Sequence, residues 1–276
     1  MRWLELISIS SAIFLGRCVV PKNIHEVPRS KLDSLYSAAL HEYRRHAVYL
    51  PPGFQKGNSY PVVWDTDGIH PEAIRLLDSL IGQHRMHPIV YVSSCANTRV
   101  ADSTTVKTVD GKAVHLVFRN FDYIRNNTSG GKGPLGARFD QHMAYCVNEF
   151  MPAIERQLAL PDDAGNRYYY GVSNGAGFGL QLAHRYPDLI SSYFCCSPFG
   201  ADPEDLEWKT TQQYPTMFWC FGDQEPPFLQ EDAAWLQERY AESGSSFHLQ
   251  VFAGGHASAA WNQAFIAWCL EKFGVR

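Results

Sequence analysis

The sequence lacks the features of membrane-spanning, nucleic-acid-binding and disordered proteins. No stretch reaches the roughly 18 to 20 uninterrupted apolar residues that span a bilayer. No run of Lys or Arg is long enough to follow a phosphate backbone, and the net charge is −4. Charged residues make up only 19% of the chain and hydrophobic residues 45%, a balance that supports a buried core. We therefore expect a globular protein with no membrane span and no nucleic-acid partner.

The seven cysteines lack the Cys-x-x-Cys spacing that gathers thiolates around one zinc ion. They stand singly or as the adjacent pair Cys195-Cys196, which is typical of small buried hydrophobic residues. We predict no structural metal site.

The N-terminus carries an apolar run over residues 6–16, preceded by Arg2, of the length found in the core of an export signal. Glu5 stands where such a signal carries positive charge, and no Ala-x-Ala cleavage site follows. An ordinary strand or helix is therefore the alternative. These features do not fix the compartment, but they favour a secreted or periplasmic location over a cytoplasmic one. Residues 1–30 are predicted to form an N-terminal tail.

Short runs of strand-forming residues alternate with helical periodicity from about residue 34 onward. The spacing predicts strands over 43–50, 60–64, 88–93, 167–170, 190–196, 216–221 and 247–252, and helices over 71–81, 139–158, 175–186, 229–243 and 258–273. This alternation is typical of the α/β class, with a mostly parallel central sheet and helices on both faces. Since no linker rich in Pro, Ser or Gly divides it, residues 31–276 are predicted to form a single domain.

Two polar stretches, residues 95–109 and 126–136, depart from this pattern. We expect both to be surface loops that shape the entrance to a site, because specificity in α/β folds resides in loops on a shared sheet.

The most informative segment is Gly171-Val172-Ser173-Asn174-Gly175, which joins a predicted strand to an apolar helix. In this context Gly-x-Ser-x-Gly indicates a nucleophile elbow, where the serine occupies a sharp, strained turn. Ser173 is therefore the predicted nucleophile. The N-terminus of the following helix adds positive potential, and the Asn174 amide would lie where an oxyanion forms.

A serine nucleophile needs a histidine base and a carboxylate that orients the base. In α/β-hydrolases these follow the serine, the acid first and the histidine second. Of the eleven histidines, only His248 and His256 lie well downstream with a plausible acid before them. His248 lies inside a predicted strand, whereas His256 follows Gly254-Gly255 just beyond a strand end. His256 is therefore the predicted base.

The acid is expected directly after the predicted strand over 216–221, where two carboxylates compete. Glu225 is our first choice, because Pro226-Pro227 hold it and its longer side chain can reach the histidine Nδ1. Asp223 is the runner-up.

Taken in order, these motifs resemble the esterase branch of the α/β-hydrolases, which includes enterochelin (siderophore) esterases, feruloyl and acetylxylan esterases, and mycolyltransferases. The likeness covers about residues 40–273. Residues 60–64 with Asp67-Gly68 resemble the family's YPVLY…DG segment, and residues 119–123 its R-x-x-D/E-Y segment. Residues 222–225 match G-x-x-[DE], and residues 254–256 with Trp261 are similar to the G-G-H…W ending. The resemblance implies the α/β-hydrolase fold.

The resemblance also implies further site residues. The second oxyanion donor would be the backbone amide of Gly68 or Ile69. Both stay candidates because Thr66 replaces an apolar residue of the family segment, so the alignment can shift by one residue. Arg119 would lie near the pocket, where it binds an anionic or phenolic substrate or, as we favour, pairs with Asp122. Trp261 would line the acyl or alcohol pocket, with a place in the core as the alternative.

The expected activity is that of a serine carboxylic ester hydrolase that acts on a small-molecule ester through an acyl-enzyme, without cofactor or metal. Acyl transfer to an alcohol from the same acyl-enzyme is one alternative. A non-catalytic binding module on the hydrolase fold is the other.

Overall fold

The computed structural model describes residues 27–107, 113–125 and 134–275. The apolar run over 6–16 and most of the glycine-rich stretch over 126–136 lie outside the described residues. The described residues contain ten strands, namely β1 Ser30–Ser37, β2 Glu42–Tyr49, β3 Val62–Asp65, β4 Val90–Ser94, β5 Val100–Lys107, β6 Ala113–Val117, β7 Arg167–Val172, β8 Ser192–Cys196, β9 Thr216–Gly222 and β10 Phe247–Phe252.

Eight of these strands form one sheet in the order β1-β2-β4-β3-β7-β8-β9-β10. The strands from β4 to β10 in this order run parallel, and β1 and β2 join one side of the sheet antiparallel. The carboxyl ends of β3, β7, β8, β9 and β10 therefore meet at one edge. Ligand sites of parallel α/β sheets lie at this edge.

Helices cover both faces of the sheet. They are α1 Pro71–Gly82, α2 Phe118–Tyr123, α3 Arg138–Ala144, α4 Met151–Leu158, α5 Asn174–Arg185, α6 Phe228–Glu242 and α7 Ser258–Phe273. A π-helical turn, Tyr145–Phe150, joins α3 to α4 and makes the predicted helix over 139–158 continuous.

Successive strand residues point to opposite faces of the sheet and so supply two separate apolar cores. Trp64 and Tyr169 belong to the core that contains residues of α3 to α6, whereas their neighbours Val63 and Tyr170 belong to the core under α1 and α7. The observed sheet and its two helical layers confirm the predicted α/β class.

Parts of the fold differ from the sequence-based prediction. β1 was not predicted, although it pairs with β2 along its whole length. The stretch over 95–109 was expected to be a loop, which is wrong, because β5 pairs with β6 in a two-stranded hairpin outside the main sheet.

Within the described ranges, no helix has the length and apolar character needed to cross a membrane. The six cysteines in those ranges are buried, and none of them forms a disulfide.

Candidate active site

Ser173 lies at the junction of β7 and α5 with backbone angles φ 53° and ψ −126°. This left-handed conformation is uncommon for a residue with a side chain and marks a strained turn. The turn is possible because its flanking glycines have no side chains. A Cβ on Gly171 would lie 2.7 Å from the Gly175 carbonyl oxygen, and one on Gly175 would lie 2.7 Å from Thr66 Oγ1. The Ser173 side chain is buried, and its Oγ makes no hydrogen bond to any described residue.

His256 and Glu225 come together from the loops after β10 and β9. His256 Nδ1 lies 2.7 Å from Glu225 Oε2, and the two side chains are 6% and 0% exposed. The other carboxylate oxygen, Oε1, accepts hydrogen bonds from Ser197 Oγ at 2.6 Å and from the Gly222 N–H at 2.9 Å. The carboxylate is therefore fully enclosed and has a hydrogen-bond partner on each oxygen.

The competing acid and the competing histidine lie elsewhere. Asp223 is exposed, and its carboxylate accepts the Gly254 N–H at 2.8 Å. His248 is an exposed residue of β10 whose ring stacks on Phe218 at a centroid distance of 4.5 Å. The structure thus brings His256 to Glu225, the predicted first choices, and not to Asp223.

Two aromatic edges fix the His256 ring. The centroids of the Phe199 and Trp261 rings lie 4.8 Å and 4.6 Å from it, both nearly perpendicular. The Phe199 backbone N–H also donates to the Ser173 carbonyl at 3.1 Å. One residue therefore contacts both the elbow and the histidine.

The loop after β3 carries the two candidates for the second oxyanion donor. The Gly68 N–H donates to Ser93 Oγ at 2.8 Å, and Ser93 Oγ donates to Asp65 Oδ2 at 2.9 Å. Burial raises the pKa of Asp65 to about 6. Since the Gly68 N–H is already used to anchor the loop, the expected role of Gly68 as the second oxyanion donor is not supported. The backbone amide of Ile69 is then the remaining candidate for that role.

Arg119 connects this loop to the elbow. Its Nε and Nη2 donate to the two oxygens of Asp67 at 2.6 and 2.8 Å, and its Nη1 donates to Asn174 Oδ1 at 2.7 Å. The expected pairing with Asp122 is wrong, because the Asp122 carboxylate is held by Arg44 and Arg138. With all three guanidinium nitrogens bonded to protein, Arg119 clamps two parts of the site together and does not present a free fork to substrate.

Trp261 is 1% exposed and belongs to the core under α1 and α7, so the expected contact with substrate is not supported. Its indole Nε1 instead donates to Ser197 Oγ at 2.8 Å. Sequence reasoning missed Ser197, which lies directly after β8 with φ 48°. Its place just beyond a parallel strand was the one available signal.

Among the residues that the structure describes, no group of three or more His, Cys, Asp or Glu side chains could hold a metal ion. The groups that the structure places at this edge of the sheet are a hydroxyl, an imidazole, a carboxylate and backbone amides.

Comparison with known families agrees with this architecture. The family described as "Putative esterase" matches residues 37–271. The chain belongs to this esterase family. Its substrates are therefore esters and its activity is ester hydrolysis. A comparison with curated proteins found no match to the sequence.

Solved esterases share the fold of this family member. A ferulic acid esterase is 18% identical with a TM-score of 0.65, over 88% of this chain and 98% of that one. An IroE-like serine hydrolase from Shewanella oneidensis is 16% identical with a TM-score of 0.60, over 88% and 80%. The enterobactin esterase of Shigella flexneri, solved with enterobactin, is 16% identical with a TM-score of 0.64, over 88% of this chain and 58% of its own.

Proposed function

We propose that this esterase is a serine carboxylic ester hydrolase in which Ser173, His256 and Glu225 form a catalytic triad and the acyl group passes through Ser173. The observation that carries the proposal is the 2.7 Å contact between His256 Nδ1 and the fully buried side chain of Glu225, at the same sheet edge as the strained Ser173 turn.

The contact with Glu225 sets the tautomer of His256. A carboxylate only accepts hydrogen bonds, so the imidazole proton resides on Nδ1 and leaves a lone pair on Nε2. Phe199 contacts the ring of His256 and bonds to the backbone of Ser173, which supports an approach of the two side chains to each other. His256 Nε2 then accepts the Ser173 hydroxyl proton as Oγ attacks the ester carbonyl.

Two backbone amides stabilise the resulting oxyanion. Asn174 is the first residue of α5, and the first N–H groups of a helix have no carbonyl partner within that helix. Ile69 supplies the second amide from the loop anchored by Gly68. His256 returns its proton to the leaving alcohol, and water activated by His256 releases the acid from Ser173.

The test is the hydrolysis of p-nitrophenyl acetate by purified variants. Ser173→Ala should lower kcat by about 10⁴-fold or more, with an unchanged circular dichroism spectrum. A fluorophosphonate probe should label Ser173 and no other residue in the native enzyme. Activity retained by Ser173→Ala would place the nucleophile elsewhere.

Glu225→Gln and Asp223→Asn are a matched pair on one loop. The first should lower kcat by about 10³- to 10⁴-fold, because the amide cannot hold the imidazole in the required tautomer. The second should stay within a few-fold of wild type, since Asp223 is exposed and its carboxylate accepts the N–H of Gly254 in a loop. The reverse order of these losses would transfer the role of the acid to Asp223.

A further inference from the structure

We propose that Ser197 and Trp261 are positioning residues that act on the Glu225–His256 pair through a directed chain of hydrogen bonds. The inference rests on the proposed triad. Trp261 Nε1 lies 2.8 Å from Ser197 Oγ, and Ser197 Oγ lies 2.6 Å from Glu225 Oε1.

The direction of this chain is fixed by the chemistry of its ends. An indole N–H only donates, and a carboxylate only accepts. The Ser197 hydroxyl must therefore accept from Trp261 and give its single proton to Glu225. Since both ends are fixed, the hydroxyl has one orientation and holds Oε1 while Oε2 faces His256.

The setting makes this hydrogen bond consequential. Ser197 and the Glu225 side chain are both 0% exposed, so water is not available to replace a missing donor. A hydrogen bond to an ionised group in such an environment is roughly twice as strong as one between neutral groups. Loss of the hydroxyl would leave Oε1 with a single donor among the described residues, the Gly222 N–H.

The backbone of Ser197 is anchored to the neighbouring strand. The Ser197 N–H donates to the Cys220 carbonyl at 2.6 Å, which aligns the end of β8 with β9, the strand that leads to Glu225. Trp261 approaches from the first turn of α7, and the edge of its ring also contacts His256. The indole thus supports the acid through its N–H and the base through its ring.

The test compares Ser197→Ala and Trp261→Phe with Trp268→Phe as the matched control. Trp268 lies on the same helix, is also buried, and its Nε1 has no hydrogen-bond partner among the described residues. Turnover is expressed per active site titrated with a fluorophosphonate, so that misfolded molecules do not count. We expect kcat to fall about 10- to 100-fold for Ser197→Ala and less for Trp261→Phe, with KM unchanged.

The double variant Ser197→Ala/Trp261→Phe supplies the decisive comparison. Because Trp261 acts on Glu225 through Ser197, the kcat of the double variant should lie closer to that of Ser197→Ala than to the value expected if the two single losses multiplied. Wild-type kcat in Ser197→Ala, with Ser173→Ala inactive, would refute the chain and leave the triad standing. Equal losses in Trp261→Phe and Trp268→Phe would also refute it, since packing alone would then explain both. If Ser197→Ala fails to fold, the two tryptophan variants decide the matter.

Discussion

Replacement of the buried His142 should change how the stability of the protein depends on pH. His142 on α3 is 0% exposed and packs against the rings of Tyr123, Tyr145 and Phe178. Burial lowers the pKa of His142 to about 3, against an ordinary value of 6.5. The folded protein therefore holds this imidazole neutral at pH values where the unfolded chain protonates it.

The size of the effect follows from proton linkage. A histidine with a lowered pKa in the folded state contributes stability above its unfolded pKa, and that stability is lost as the pH falls toward the folded pKa. Between pH 7 and pH 5, protonation of His142 in the unfolded chain should remove about 2 kcal/mol from the free energy of unfolding. By pH 3 the loss should reach about 4 kcal/mol.

The assay is urea denaturation followed by tryptophan fluorescence at pH 7 and pH 5. His142→Leu fills most of the same volume with an apolar side chain and should lose about 2 kcal/mol less than wild type over this interval. His87→Leu, at an exposed position, is the control and should follow wild type. Parallel pH dependences for wild type and His142→Leu would show that the reasoning from burial is wrong.

Two further replacements test Arg119, described above, and Asp202, a buried carboxyl in the segment between β8 and β9. Arg119→Lys keeps the charge but not the fork that joins Asp67 to Asn174, and should lower kcat/KM for p-nitrophenyl acetate about 10-fold, whereas Arg99→Lys, at an exposed guanidinium, should not. Asp202→Asn should raise the melting temperature at pH 8, because burial raises the pKa of Asp202 to about 8 and folding therefore disfavours its ionised form. The wild type should lose stability as the pH rises from about 4 to 8, and an equal loss in the variant would contradict this reasoning.

The sequence predicts the elements of the main sheet because their apolar residues are either continuous or regularly spaced. β7, α5 and α7 are examples in which buried positions follow from the pattern alone. β1 was missed because Lys31 and Asp33 interrupt its apolar residues, as is common for an edge strand. It is extended because it pairs with β2 along its whole length. The sequence of β5, Val100–Lys107, is mostly polar and carries no regular apolar alternation, so it gave no sign of a strand.

Contacts within the site could be predicted only where one motif contains both partners or where strand ends must meet. Glu225 and His256 follow adjacent strands, which explains why sequence reasoning could pair them. The partners of Arg119 could not be found in this way. Asp122 is its neighbour on one helix, but Arg44 occupies that carboxylate from β2, 78 residues away along the chain. Such pairings depend on packing between distant segments, which spacing does not reveal.

The burial of the described cysteines makes them reporters of local opening. Burial raises the pKa of the thiols of Cys195, Cys196 and Cys269, so little reactive thiolate is present and a thiol reagent must wait for the surrounding structure to open. The rate of labelling at each position, read by mass spectrometry, would then measure how often its element opens. The six cysteines lie in five parts of the fold. Cys95 follows β4, Cys146 lies in the π-helical turn, Cys195 and Cys196 lie in β8, Cys220 in β9 and Cys269 in α7. The natural sequence thus permits a map of unfolding order across the sheet without any introduced label.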